Sequence, residues 1–130
     1  MSVRQVGVEE ELLLIDPTSG DAVAVSDRAL RAAPDNGAVV EQELFLQQLE
    51  TGTGVHRHLS ELEQDIRRGR RVAGEAAQAV GAAVVAVSTA VLELQRPALT
   101  PKDRYGRMMD RFGAVVTDLR CRTAESWAGT

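Results

Sequence analysis

The sequence predicts an α+β domain in which two long helices pack on one face of an antiparallel or mixed sheet. Two observations predict it. Apolar segments of strand length are separated by turn signals, and two longer segments have apolar residues at every third or fourth position. The 130 residues are enough for one domain with a modest core. The predicted order of elements is β-(β)-α-β-α-β-α.

The first elements are expected to be a hairpin and a short helix. Residues 4–15 are rich in Val and Leu and form the first predicted strand, which ends at the turn signals of residues 16–21. Residues 22–25 are a candidate return strand. A helix over residues 26–33, capped by the serine or aspartate at its start, stops at residues 34–37.

The longest helix follows a segment of strand or mixed character. Residues 39–49 form that segment, and residues 51–54 are expected to be a loop. Ser60 and Glu63 match a capping box, and Gly81 is a plausible C-terminal stop. The apolar positions of this helix are Leu59, Leu62, Ile66, Val72 or Ala73, Ala76 and Val80.

The last elements are a strand and a helix. Residues 82–87 form an apolar run that predicts a buried strand. Thr100 is the expected N-cap of the final helix, with Pro101 at its first position. Residues 120–130 have no periodicity and are expected to be irregular. The apolar positions of the final helix are Tyr105, Met108, Met109, Phe112, Val115, Val116 and Leu119.

Composition excludes several classes of protein. The net charge of −4 gives no general electrostatic support to a nucleic-acid partner. The arginines of residues 67–71 have acidic residues before and after them, as on a solvated helix face that carries both signs of charge. The apolar stretch 73–94 is interrupted by polar residues and is not a membrane span. Cys121 is the only cysteine, so no intramolecular disulfide forms, and a cytoplasmic location is expected.

The unusual feature of the first strand is three consecutive glutamates. The period of two places Glu9 and Glu11 on one face and Glu10 on the other, with Val8 and Leu12. Like charges on one face repel, and a divalent cation offsets that repulsion. Magnesium is suited to such oxygen ligands. The alternative is an edge strand whose glutamates face water.

A second acidic segment carries Glu41, Glu43 and Glu50 among apolar residues. Two such segments can line one cleft. Glu43 and Glu50 are an odd number of residues apart, so a regular strand sends them to opposite faces. Both reach one metal cluster only if a bulge or break separates them, or if the segment is helical.

Three motifs occur in order between about residues 4 and 119. They are Val6-Gly7-Val8-Glu9-Glu10-Glu11-Leu12-Leu13-Leu14 with Asp16-Pro17, then Glu43-Leu44 through Gln48-Leu49-Glu50-Thr51-Gly52-Thr53, and finally Arg104-Tyr105 with Met108 and Arg111-Phe112-Gly113. In order and spacing they resemble the N-terminal part of the glutamate–cysteine ligase type 2 (carboxylate-amine ligase) family. Residues 1–119 are the expected family portion.

The resemblance implies a partial glutamine-synthetase-like catalytic fold, with Mg²⁺ held against the phosphates of ATP. The implied reaction phosphorylates a glutamate side chain to an acyl phosphate, which the amine of cysteine or another compound attacks. It also places Glu9, Glu11, Glu43 and Glu50 at the metal positions. Glu10 does not fall on a metal position, and its apolar neighbours suggest that it either supports the metal ligands or has a structural part. No catalytic residue is assigned.

The chain departs from the family in two places. Residues 87–91 lack the glycine of a Gly-Thr turn, and residues 120–130 stand where a Gly-x-His-Val-His-Val strand is expected. A truncated or frameshifted product with weak or no turnover is therefore expected. The alternative function is a non-catalytic metal-binding or interaction domain, and assembly into homo-oligomers is left open. His56 and His58 are expected in surface or capping roles.

Overall fold

In a computed structural model, the described part of the chain forms four strands and three helices. The structure describes residues 4–33, 39–87, 90, 92 and 97–121. The elements are β1 (Glu9–Ile15), α1 (Ser26–Ala32), β2 (Val39–Gln42), β3 (Gln48–Gly52), α2 (Leu59–Ala79), β4 (Ala83–Val85) and α3 (Asp103–Cys121). The strands pair in the order β2-β3-β1-β4, and every pair is antiparallel. The predicted α+β class is confirmed.

The main core lies between one face of the sheet and the helices α1 and α2. Leu12, Leu14 and Leu49 point to this face and are buried, as the two-residue period of strands requires. The α2 side of the core is made largely of alanines, including Ala73 and Ala76, both fully buried. Such small side chains let the helix lie close to the sheet.

The first strand is shorter than predicted. Regular pairing begins at Glu9, and before it Val6 forms only an isolated bridge with His56. The predicted return strand is likewise reduced to a single bridge between Ile15 and Ala22. Asp16 closes the turn between them, because its carboxylate accepts hydrogen bonds from following backbone amides and its pKa is lowered by them.

The predicted N-cap residues of α1 and α2 are both wrong. Val25 occupies the N-cap position of α1, so Ser26 lies inside the helix with a buried hydroxyl that has no hydrogen-bond partner among the described residues. His58 occupies the N-cap position of α2 without a side-chain capping bond. Ser60 therefore comes too late in the sequence to act as a cap, and the predicted capping box does not form.

The predicted end of α2 at Gly81 is confirmed. Gly81 has a φ of +81°, a conformation that glycine adopts without steric cost. Its amide donates to the Gln78 carbonyl over 3.1 Å, and the Ala82 amide donates to the Ala77 carbonyl over 2.9 Å. This is the Schellman pattern, which satisfies the last carbonyls of the helix. Leu59, by contrast, is 78% exposed and does not belong to the apolar face.

The segment of residues 39–49 is a hairpin, because β2 ends at Gln42 and β3 begins at Gln48. The predicted loop of residues 51–54 is wrong at its start, since Thr51 is a buried residue of β3. The predicted strand of residues 82–87 is β4, which is shorter. It is only half-buried because it lies at the edge of the sheet.

The last helix begins at Asp103, so Thr100 is not its N-cap. The Thr100 hydroxyl instead donates to the Glu43 carbonyl over 2.6 Å. Tyr105 packs on Leu44 and Phe45, a second small cluster apart from the main core. The helix extends two residues past the predicted end at 119, while residues 122–130 and the side chains of 114–121 lie outside the description. The exposed ring of Phe112 departs from the predicted apolar face.

The helices in the described part of the chain are too short or too polar to cross a bilayer.

Candidate functional site

A row of carboxylates crosses three neighbouring strands on the sheet face opposite α1 and α2. In the antiparallel register, Glu11 of β1 stands opposite Glu50 of β3, and Glu50 stands opposite Glu41 of β2. Residues directly opposite each other share a face and have Cβ atoms roughly 5 Å apart. Local strand periodicity, which places Glu9 on the same face as Glu11, thus combines with long-range pairing to concentrate negative charge. We call Glu9, Glu11, Glu41, Glu43 and Glu50 the acidic cluster.

Glu50 lies at the electrostatic centre of the acidic cluster. Partial burial raises the pKa of its carboxyl, and repulsion from Glu43, Glu9, Glu41 and Glu11 raises it further. Each of the four other carboxylates therefore lies close enough to act on Glu50 through space. The arrangement opposes ionisation of Glu50 and favours any group that brings positive charge.

Space is left open beside Glu9. Its partner across the strands is Gly52, and a Cβ placed at Gly52 would meet no atom of the described side chains and backbone within 4 Å. Glu9 and Glu11 are exposed, and Gln48 approaches Glu11 with its amide nitrogen 3.5 Å from a carboxylate oxygen. The strand thus presents these two carboxylates on a surface that a ligand can approach.

Glu43 joins the cluster from outside the regular strands. β2 ends at Gln42, so the alternation of side chains between the two faces of the sheet does not run unbroken from Glu43 to Glu50. Such a break is what their odd spacing requires if both are to reach one cluster. The Tyr105 hydroxyl lies 3.4 Å from a Glu43 carboxylate oxygen. Among the four carboxylates, Glu43 has the largest effect on the pKa of Glu50.

Glu10 points to the opposite face and has a structural part, as expected. Arg70 of α2 donates hydrogen bonds to its carboxylate from two nitrogens, over 2.8 Å from Nε to Oε2 and 2.5 Å from a terminal nitrogen to Oε1. The Glu10 side chain is only 18% exposed. This pair attaches α2 to β1 and takes Glu10 away from the acidic cluster.

The donor chemistry of the acidic cluster fits magnesium, which prefers carboxylate oxygens. The repulsion at Glu50 is the second indication, since a divalent cation would offset it. In the described part of the chain, however, no three His, Cys, Asp or Glu side chains converge closely enough to hold an ion. The structure brings Glu9, Glu11, Glu43 and Glu50 to one side of the sheet without joining their oxygens. Their assignment as metal ligands stays a prediction.

The sequence does not show how two further residues contribute. Glu41 is named in the second acidic segment but has no predicted role as a ligand, because its pairing with Glu50 is not visible in one sequence. Tyr105 was assigned to packing, and it is indeed buried, but its hydroxyl also reaches Glu43. The Arg104-Tyr105 motif was the available signal, although no spacing argument connects it with Glu43.

His56 lies away from the acidic cluster and pairs with Asp65 of α2, whereas the N-cap position of that helix is occupied by His58. The His56 Nε2 is 2.9 Å from an oxygen of Asp65, which also accepts the Gly54 amide at 3.0 Å. The hydrogen bond with His56 is the largest cause that lowers the pKa of Asp65. These bonds fasten the connection after β3 to α2. A surface depression here is lined by His56, Glu61, Gln64, Asp65 and Arg68.

Comparison with known proteins gives one consistent family. Residues 5–126 match the family model of glutamate-cysteine ligase family 2. A protein of Paenarthrobacter aurescens strain TC1 named "Putative glutamate--cysteine ligase 2-3" is 42% identical over 117 residues, covering 90% of this chain and 27% of that protein. "Putative glutamate--cysteine ligase 2" of Streptomyces coelicolor is 40% identical, covering 88% of this chain and 32% of that protein. The chain thus spans about a third or less of these curated relatives.

Proposed function

This chain belongs to glutamate–cysteine ligase family 2, and from that premise we propose that it supplies the acidic metal-binding part of an ATP- and magnesium-dependent carboxylate-amine ligase. The proposed substrates are ATP, glutamate and an amine, that of cysteine or of another compound. The γ-phosphoryl group passes to the glutamate side-chain carboxylate, the amine attacks the acyl phosphate, and inorganic phosphate leaves as the amide bond forms.

One observation carries the proposal: the register places Glu9, Glu11 and Glu50 on one open face, and the break after β2 adds Glu43. Phosphoryl transfer requires cations that neutralise the charge of the phosphate oxygens, which is the chemistry magnesium supplies when bound. The four carboxylates would hold the ion, and Glu41 would add negative charge beside them. An antiparallel sheet with one acidic face also supports the proposed likeness to the glutamine-synthetase fold.

The ligand oxygens must move together for an ion to bind. Glu9 and Glu11 are exposed side chains with several rotatable bonds, so rotation about those bonds is the expected adjustment. The Glu43 carboxylate is less free to rotate, because it lies 3.4 Å from the buried Tyr105 hydroxyl. We expect the exposed glutamates to close on the ion and the backbone of β1 and β3 to stay in place. A cytoplasmic location, with ATP and magnesium at hand, completes the proposal.

A magnesium titration followed by thermal unfolding tests the site. A ligand that binds only the folded state at about 100 times its Kd stabilises by roughly 2.7 kcal/mol, which raises the Tm of a domain of this size by several degrees. We expect this rise in the wild type and its loss in the double variant Glu9→Gln plus Glu11→Gln.

Glu10→Gln is the matched control, because it changes the middle residue of the same acidic triplet. It breaks the contact with Arg70 and should lower the Tm at every magnesium concentration, while the rise caused by magnesium remains. An equal rise in the wild type and in the double variant would remove the acidic cluster from consideration as the binding site.

A further inference from the structure

The segment from Ala98 to Tyr105 fixes the one member of the acidic cluster that lies outside the strands. The Leu46 amide donates to the Ala98 carbonyl over 2.7 Å, and the Thr100 amide donates to the Leu44 carbonyl over 2.9 Å. The connection between β2 and β3 is therefore paired along its length with a distant part of the chain. Its position does not depend on β2 and β3 alone.

Glu43 is held at both its backbone and its side chain. The Thr100 hydroxyl donates to the Glu43 carbonyl over 2.6 Å, and Thr100 is completely buried. The Tyr105 hydroxyl faces the Glu43 carboxylate at 3.4 Å and the Gln42 carbonyl at 3.3 Å. The segment from Ala98 to Tyr105 thus contacts both the backbone carbonyl and the side-chain carboxylate of Glu43.

Arg104 sets the direction of the Tyr105 hydroxyl. Its guanidinium forms a short hydrogen bond with the hydroxyl oxygen and lies 4.4 Å from the centre of the Tyr105 ring. A guanidinium only donates hydrogen bonds, so the phenol oxygen is the acceptor there. The single hydrogen of the phenol is then left for Gln42 or Glu43. The Tyr105 side chain cannot move away easily, because it is only 5% exposed and packs on Leu44 and Phe45.

We propose that Tyr105, oriented by Arg104, is a positioning residue that fixes the Glu43 carboxylate for divalent-cation binding at the acidic cluster. The proposal rests on the function proposed above and adds a residue to that site. A carboxylate held beforehand loses less side-chain freedom when an ion binds, which strengthens binding. Exposed Glu9 and Glu11 have no such support among the contacts described for the chain apart from the long approach of Gln48 to Glu11.

The test is a double-mutant cycle of Tyr105→Phe and Glu43→Gln, read as the Kd for Mg²⁺ by calorimetry on the 130-residue chain. Phenylalanine keeps the buried ring and removes only the hydroxyl. We expect Tyr105→Phe to weaken Mg²⁺ binding roughly threefold to tenfold, the range for one lost hydrogen bond. In the Glu43→Gln background, the same change should have no further effect, since the hydroxyl acts through Glu43.

Met108→Leu is the matched control, because Met108 packs in the same small cluster and has no contact with Glu43 among those described. It should leave the Kd unchanged. A Tyr105→Phe chain that melts at a lower temperature but binds Mg²⁺ as the wild type does would show that the hydroxyl serves only the Gln42 carbonyl. Equal weakening with and without the Glu43 carboxylate would also overturn the proposal. A wild type that binds no Mg²⁺ refutes the proposed function itself, a result distinct from both.

Discussion

At the scale of single residues, neighbouring glutamates have opposite parts in the molecule. Glu10 is bound by Arg70 and attaches a helix to the sheet, whereas Glu9 and Glu11 stand free of that helix on the other face. Only the two-residue period of the strand separates these parts. The same period concentrates like charge on one face of the sheet. Repulsion from these charges adds to burial in raising the pKa of Glu50.

Glu50→Gln should stabilise the fold at neutral pH in the absence of divalent cations. The pKa of Glu50 is raised in the folded state, so ionised Glu50 destabilises the fold at any pH above that pKa. The destabilisation is lost as the pH falls through the folded-state pKa towards the pKa of the unfolded chain. Two like charges stand directly opposite, which predicts a gain of about 0.5–2 kcal/mol at pH 7. Urea unfolding at pH 7 and near pH 4 measures the gain and its expected loss in acid.

Glu75→Gln on α2 is the control for that measurement. Glu75 pairs with Arg71 one turn away, so its neutralisation should cost a few tenths of a kcal/mol. A Glu50→Gln chain that is less stable than the wild type at pH 7 would contradict the repulsion that we describe.

At the scale of elements, α2 lies close to the sheet at one glycine and further away at another. A Cβ at Gly69 would come within 3.3 Å of the Thr51 Cβ, and Thr51 is buried in β3. At Gly74 the nearest atom is 4.0 Å away, on Val84. Gly69 is therefore required for packing, whereas Gly74 only lowers the helix propensity.

Alanine at each glycine should separate these two effects. Gly74→Ala should raise the free energy of unfolding by about 0.5–1 kcal/mol, because alanine favours the helix. At Gly69 the same gain is opposed by overpacking against Thr51, which costs about 1–3 kcal/mol. We expect Gly69→Ala to be the less stable variant in chemical unfolding, by at least 1 kcal/mol. Equal stabilisation by the two variants would mean that α2 is not in tight contact with β3.

The elements also differ in how far nearby residues determine them. The length of α2 and its end at Gly81 follow from nearby residues, so they were predictable. The helix starts were not, since several residues near each start have capping side chains and only the fold selects one. For the site, alternation gave the shared face of Glu9 and Glu11. The addition of Glu41 and Tyr105 depends on pairing between distant segments, which one sequence does not reveal.

At the scale of the whole molecule, the described face carries much negative charge and little to balance it. Arg104 is the basic side chain whose pKa responds to the cluster, being raised by Tyr105 first and then by Glu43 and Glu41. Binding of a triphosphate needs both metal ions and basic groups. The chain spans a third or less of the length of these relatives. We therefore expect its acidic sheet to bind metal without orienting ATP.

The 130-residue chain should release ADP from ATP, glutamate and cysteine at no more than a small rate above background. A coupled ADP-release assay with magnesium measures this, and a chain without Glu9 and Glu11 carboxylates gives the baseline. Robust turnover would show that these residues suffice for catalysis. Magnesium-dependent stabilisation with no turnover is expected both for the metal-binding part of a ligase and for a non-catalytic metal-binding domain.

The position of β1 in the sheet has a consequence for synthesis. It is made before its partners, yet it lies between β3 and β4, and its register with β4 pairs Leu13 with Val85. On the ribosome, β1 has no partner until β3 has emerged, and its other edge stays unpaired until β4 has emerged. Unpaired apolar strands associate readily with other chains. Efficient production of this domain therefore depends on keeping the nascent β1 apart from other strands until β4 arrives.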